Sequence, residues 1–343
     1  MFELHEFNKC ATVRDLLKQT ELQAVLDLDG LTEVAVNCPL EVWFDRGKGW
    51  ESQPMKNLSF ERCQQLSNAL SIYSEVGKLD YHNPIASVIL PDGERGQICI
   101  PPASEQGVIS FTIRKPSTAR FTLDDYERTG RFTHAKKQTT SENKLNDTQA
   151  QLLELKESNR IAEFFSLAVK SKQNILLVGG TGSGKTTVMK AMVDQYPTDK
   201  RIVTIEDVHE LDLPNHKNHL HLFYSHGGSV TPKRLIESCM RMKPDHVLLA
   251  ELRGDEAWNY IEMLNTGHGG SITTIHANDC YSAYSRLAQL VKQSEVGQTL
   301  DYDFILNTIK SSIDVIAFFK YTHLEELHFE PHMKNTLLSE GSS

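Results

Sequence analysis

The spacing of apolar residues changes character along the chain. Over residues 9 to 28, Val13, Leu16, Leu17, Leu22, Val25 and Leu26 recur at mostly helical intervals between charged positions, which predicts one or two amphipathic helices. Their apolar stripe reads as core, although the same amphipathicity would suit a membrane face or a neighbouring subunit. From Leu31 the apolar positions alternate: Leu-Thr-Glu-Val-Ala-Val-Asn and then Glu-Val-Trp-Phe-Asp predict two strands, followed by a glycine turn over Arg46 to Gly49 and then Trp50. A polar helix is expected over 59 to 76. Ala86 to Leu90, the Pro91-Asp92-Gly93 turn, Gln97 to Ile100 and Gly107 to Arg114 read as further antiparallel strands. The first unit is thus an α+β domain built on a meander.

Residues 133 to 159 hold almost no large apolar side chains before Leu152 and Leu153, the composition of a linker or an exposed connecting helix. Beyond a helix through Ile161 to Val169, apolar runs ending near Val178, Ile205, Ala250 and Ile275 alternate with helical stretches. That alternation predicts a mostly parallel sheet with covering helices. The expected plan is an α/β chain: an α+β domain over 1–135, a linker over 136–158, and a larger P-loop domain over 159–343.

Composition narrows this picture only modestly. The 343 residues suffice for two domains with cores, and the content is 39% hydrophobic and 24% charged. No run approaches the roughly 18 apolar residues of a membrane span. The opening MFELHEFNKC lacks a basic n-region and an apolar h-region, so a cytoplasmic protein is expected. Six cysteines without a C-x-x-C pair read as reduced thiols and argue against a zinc knuckle. A net charge of -9 argues against bulk electrostatic coating of nucleic acid, and leaves direct nucleic-acid binding to a local basic patch or a ring pore.

The chemistry centres on Gly179-Gly-Thr-Gly-Ser-Gly-Lys-Thr-Thr187, which follows the apolar run at 174 to 178 and matches G-x-x-x-x-G-K-T. Glycines let backbone N–H groups of Gly180, Thr181, Gly182, Ser183 and Gly184 turn toward phosphates. Lys185 reaches the outer phosphate oxygens, Thr186 can hold Mg²⁺, and Thr187 continues into the helix. The bland alternative is a glycine-rich turn with a surface lysine; the strand before it and helix after it favour nucleotide binding.

Later strands end in polar groups, where open α/β sheets bind ligands. The first delivers Glu206 and Asp207, with Glu210 close behind, although an N-cap or solvated turn would look the same. The second delivers Glu251, ahead of Arg253, as a candidate to activate water or as a glutamate paired with that arginine. The third delivers His276, a candidate sensor of the γ-phosphate. Arg114 and Arg120 leave the last strand of the first domain, where they are either solvated or able to clamp a phosphate.

Together IEDVHEL, LLAELRGDEAW and GHGGSITTIHAND follow the P-loop in the order of the Asp-box, Walker B and His-box of type II and type IV secretion ATPases. The resemblance covers roughly residues 107 to 320. It leans toward the traffic ATPases of conjugation and virulence type IV systems; type II assembly ATPases and pilus extension or retraction motors fit less well, and no tetracysteine module is present. It implies a RecA-like ATPase domain, a homo-hexameric ring working with inner-membrane channel components, and peripheral attachment at the inner face of the membrane. ATP would lie between the two domains, hydrolysed with Mg²⁺. Carried onto this chain, Lys185 and Thr186 would hold phosphate and metal, Glu251 would activate water, and Glu206 and Glu210 would position metal and water. His276 would couple the site to motion, and ISFTIRKPS favours Arg114 as a nucleotide ligand, with Arg120, Arg241 and Arg253 weaker candidates for phosphate or intersubunit contacts. One departure is Ala250, where the family more often has glycine. A nucleotide-gated scaffold and a DNA-moving helicase are the rival readings.

Overall fold

The computed structural model describes residues 2–117, 120–135 and 145–340. The amino-terminal unit opens with α1 (Phe2–Gln19) and α2 (Leu22–Leu26), continues through β1 (Glu33–Val36), β2 (Glu41–Asp45), β3 (Trp50–Pro54) and α3 (Phe60–Tyr73), and closes with β4 (Ile85–Ile89), β5 (Arg95–Cys99), β6 (Ser110–Arg114) and the short α4 (Leu123–Arg128). Its six-stranded antiparallel sheet has the order β3-β2-β1-β6-β5-β4. Val13, Leu17, Leu22, Val25 and Leu26 are buried and join one core with α3 and that sheet, so the leading amphipathic stripe is core.

The second unit runs α5 (Asp147–Glu157), α6 (Ile161–Lys170), β7 (Ile175–Val178), α7 (Lys185–Val193), β8 (Ile202–Glu206), β9 (His219–Phe223) and α8 (Pro232–Cys239). It continues with β10 (His246–Leu249), α9 (Glu256–Asn265), β11 (Ile272–Ile275), α10 (Cys280–Val291), α11 (Glu295–Thr299), α12 (Tyr302–Ser312), β12 (Val315–Lys320), β13 (His323–His328) and α13 (Pro331–Glu340). The seven strands lie in the order β13-β12-β7-β11-β10-β8-β9, parallel except for the β12–β13 hairpin. The central strands β7, β10 and β11 are buried throughout, as expected of a parallel sheet covered on both faces by helices.

One expectation changes here. The linker expected over 136–158 is in its second half a helix: α5 begins with a capping box at Asn146 and Gln149 and buries Leu152 and Leu155 in the core shared by α6, β7 and α7. Two leucines three residues apart are enough for a helix packed along a single stripe, too few to raise the apolar content of the segment. Residues 136–144 lie outside the described residues.

The two units meet along β8, β9 and α8. Arg201, fully buried just before β8, donates from Nη1 to the side-chain oxygens of Asn37 (2.8 Å) and Asn218 (2.6 Å), from Nη2 to Thr112 Oγ1 (3.3 Å), and from Nε to the Met242 carbonyl (3.1 Å). Its guanidinium also stands 5.2 Å from the Trp50 ring centre. Lys243 reaches Asp45 at 2.8 Å, Gln97 donates to Ser238 at 3.2 Å, and the Phe223 N–H donates to the Ala103 carbonyl at 3.0 Å. Cys99 and Ala103 complete the seam by entering the core of the second unit.

Candidate functional site

The loop from Gly179 to Gly184 joins β7 to the first turn of α7. Gly179 has φ 154°, and a Cβ there would come within 2.3 Å of the Phe319 carbonyl oxygen, so only glycine lets β12 back the loop this closely. Gly184, at φ 88°, is the left-handed residue that turns the chain into α7. Lys185 is buried, and its Nζ donates to the carbonyls of Gly179 and Gly180, both at 2.9 Å. Burial holds the Lys185 ammonium below its ordinary value, opposed by the charge of Glu251, which places that carboxylate within electrostatic reach. Ser183 Oγ is buried with no hydrogen-bond partner among the described residues. An orphaned hydroxyl and an ammonium satisfied only by carbonyls of its own loop fit a cradle whose partners are phosphate oxygens.

Glu251 follows β10, two residues beyond its last strand residue. Arg253 Nη2 donates to Glu251 Oε2 at 2.6 Å, and His276 Nε2, just past β11, lies 3.0 Å from Glu251 Oε1. Arg253 also donates to Asp207 Oδ2 at 2.7 Å, and its Nη1 lies 3.0 Å from His226 Nε2. Its guanidinium pKa is raised, first by the hydrogen bond with Glu251. Arg253 therefore ties the carboxyl ends of β8 and β10 together, and Glu251 ties in that of β11. Of the two readings of the Glu251–Arg253 spacing, the pairing is seen directly: the carboxylate follows the strand and is bonded to the arginine. Beside it an open groove of about 390 Å³, lined by Gly180, His276, Asn278, Ser282 and Arg286 among others, leads to the P-loop.

Glu206 stands apart from this set. It is fully buried, and its Oε2 accepts the backbone N–H groups of Glu210 (2.8 Å) and Leu211 (2.9 Å), while Oε1 accepts the Thr204 hydroxyl (2.7 Å) and lies 3.5 Å from His221 Nδ1. Burial alone pushes its carboxyl upward; hydrogen bonding from His221, Glu210, Thr204 and Leu211 outweighs it and leaves the pKa lowered. In this structure its oxygens hold the loop after β8 in place. Glu210 contributes its backbone N–H to that loop and is exposed. Among the described residues Glu206, His209 and His221 offer ligand atoms within 4.8 Å of one another, but the same bonds already occupy the glutamate.

The arginines sort differently from the sequence expectation. Arg114 ends β6 with its side chain 74% exposed and 3.6 Å from Glu33. Its domain docks on β8 and β9, with β10 and β11 intervening before the P-loop strand. Arg120 is exposed, and Arg241 hydrogen-bonds Ser87 across the seam. Arg253, ranked among the weaker candidates, is the one that meets the site; its separation of two residues from Glu251 was the available signal. Asp207, read only as part of an acidic pair, enters with it. Ala250 follows β10 half-buried, and its carbonyl accepts the Thr274 hydroxyl at 2.9 Å.

Known proteins bear on this geometry. Residues 135–325 match the family model described as Type II/IV secretion system protein. The type IV secretion system protein VirB11 of Brucella suis biovar 1 is 42% identical over 329 residues, 92% of this chain and 90% of its own length. The VirB11 of Bartonella quintana is 38% identical over 352 residues, covering 97% and 98%. Among solved structures, the VirB11 ATPase from the Brucella suis type IV secretion system, in complex with sulphate, superposes with a TM-score of 0.89 at 41% identity, covering 95% of this chain and 99% of that one.

Proposed function

The chain belongs to the type II/IV secretion system protein family and is an ATP-hydrolysing motor of type IV secretion, and on that premise we propose how its own residues divide the work. The P-loop amides from Gly180 to Thr187 and the Lys185 ammonium receive the phosphates of ATP, Lys185 exchanging the Gly179 and Gly180 carbonyls for phosphate oxygens. Thr186, in the first turn of α7, would hold Mg²⁺ through its hydroxyl. When bound, the metal neutralises charge on the β- and γ-phosphate oxygens.

The observation that carries the reading is the double restraint on Glu251. With Arg253 on one oxygen and His276 on the other, the carboxylate is held by two side chains and its charge is drawn to the arginine, which weakens it as a base toward water. The γ-phosphate is a competing anion for both groups. Its arrival draws Arg253 and His276 toward itself, frees Glu251 to orient and deprotonate the attacking water, and leaves two donors facing the developing charge. Loss of the γ-phosphate reverses the exchange, and Asp207 carries the movement of Arg253 to the end of β8.

We further propose a homo-hexameric ring at the cytoplasmic face of the inner membrane, working on channel components of a secretion system. Support comes from the relatives' assignment to type IV secretion and from the described residues, where no helix is long and apolar enough to cross a membrane. Lys185→Ala and Glu251→Gln test the site together. Lys185→Ala should lose ATP binding, whereas Glu251→Gln should bind ATP, retain it and not turn it over; Glu251→Gln hydrolysing at the parental rate overturns the assignment. Mass photometry in Mg-ATP tests the ring, and a monomer at every concentration sinks it.

A further inference from the structure

The order of strands dictates how ATP lies across the P-loop. In the sheet β7 sits between β11 and β12. On the β11 side stand His276 and, one strand further, Glu251 with Arg253. The γ-phosphorus, which water attacks, must face those groups. The opposite end of the nucleotide is then carried past the start of α7 toward β12 and β13.

What stands there is a two-residue turn, Tyr321 and Thr322, closing the hairpin in which Lys320 pairs with His323. It is seated directly against the P-loop. A Cβ at Gly184 would lie 3.5 Å from the Thr322 Cα, and Gly179 abuts the Phe319 carbonyl on the strand leading into the turn. Both turn residues are left-handed, with φ 50° and 66°. Such a turn is ordinarily made by Asn-Gly or a similar pair. An aromatic and a β-branched residue are poor choices for it on conformational grounds alone.

Tyr321 is 79% exposed beside the P-loop. Lys320 Nζ lies 5.6 Å from its centre, and the Tyr321 carbonyl is fixed by His323 Nδ1 at 2.7 Å. The ring is therefore a flat face whose backbone is held in place.

We infer that the Tyr321–Thr322 turn is the base platform of the ATP site, with the Tyr321 ring stacking on adenine. The inference rests on the P-loop being that site. Stacking uses a face that all bases possess, so Tyr321 adds affinity more than discrimination among purines.

The test compares ATP with a ligand that has the phosphates and no base. In Tyr321→Ala the KM for ATP should rise about tenfold while competition by inorganic tripolyphosphate stays at the parental strength. Tyr321→Phe should restore the parental KM. In Tyr321→Trp, ADP should quench the new indole emission and tripolyphosphate should not. An unchanged KM in Tyr321→Ala, or equal weakening of ATP and tripolyphosphate, overturns the platform. Lys185→Ala separates this failure from that of the underlying site: it should lose both ligands, and if it keeps both, the P-loop assignment falls and the platform with it.

Discussion

Glu206 ends β8 and Glu251 follows β10, on adjacent parallel strands of one sheet, and each is reached through an apolar run that closes on a carboxylate. Around Glu206 the partners are a neighbouring threonine, a buried histidine and two backbone N–H groups of its own loop, all fixed by the fold. Around Glu251 the partners are Arg253 and His276, both 43% exposed and both able to prefer a phosphate. A carboxylate satisfied by backbone is a structural part, because nothing that binds can outbid a main-chain donor held in place. One satisfied by partly exposed side chains is exchangeable, and exchange is what a nucleotide cycle requires.

Substitution should separate the two glutamates along different axes. Glu251→Gln is expected to lower ATP turnover about 10²- to 10⁴-fold, the usual worth of a positioned general base, with its melting temperature unchanged. A Glu251→Gln protein that melts early and hydrolyses normally would invert the comparison. Glu206→Gln places an amide donor against donors that the carboxylate now satisfies, at a cost of about 2–3 kcal/mol of stability. Urea denaturation measures it, and parental stability would show that the loop after β8 does not depend on Glu206.

Arg253→Ala should act more mildly and only on chemistry. It removes one donor from the γ-phosphate while also releasing Glu251, so turnover should fall about tenfold, the lower side of losing a transition-state donor. Stability should change by less than about 1 kcal/mol, since its ion pairs are partly exposed. A large loss of stability would move Arg253 into the structural class. The smallest effect concerns a third buried carboxylate, Glu33, whose pKa burial pushes up to about 7 despite Lys243 and Arg114 nearby. Its sign is opposite to that of Glu206. Glu206, with a lowered pKa, contributes stability present above the unfolded value near 4.5 and lost as pH falls through its folded value. Glu33 binds its proton more tightly when folded, so stability declines as pH rises from about 4.5 to about 7. Glu33→Gln should stabilise the protein by about 1 kcal/mol at pH 8 and by nothing at pH 4, as thermal melts at the two pH values would read. Equal melting shifts at both pH values would remove the linkage.

The sequence carried the P-loop, the position of Glu251 and the strand–helix alternation because each is local: a handful of adjacent residues states it. It could not separate Glu206 from Glu251, since the donors that lock Glu206 come from residues 210, 211 and 221, and their direction depends on a loop closing. What Arg114 faces was illegible for a related reason. Leaving the last strand of a domain says where an arginine starts, while the seam that decides what it faces is set by Arg201 and Asn218, about a hundred residues later. The helix at Asp147–Glu157 hid behind two leucines, and the platform at Tyr321 behind a short hairpin with no Gly or Asn at its turn.

The buried Arg201 has one more consequence. It immediately precedes β8 and is bolted to Asn37 and Thr112 of the amino-terminal sheet; Glu206 ends the same strand, and the next residue, Asp207, grips Arg253. Five extended residues span about 17 Å. Because β9 and β10 hydrogen-bond β8 along both edges, it cannot buckle. It is a strut that joins the amino-terminal unit to the arginine that holds Glu251 without a loop in between.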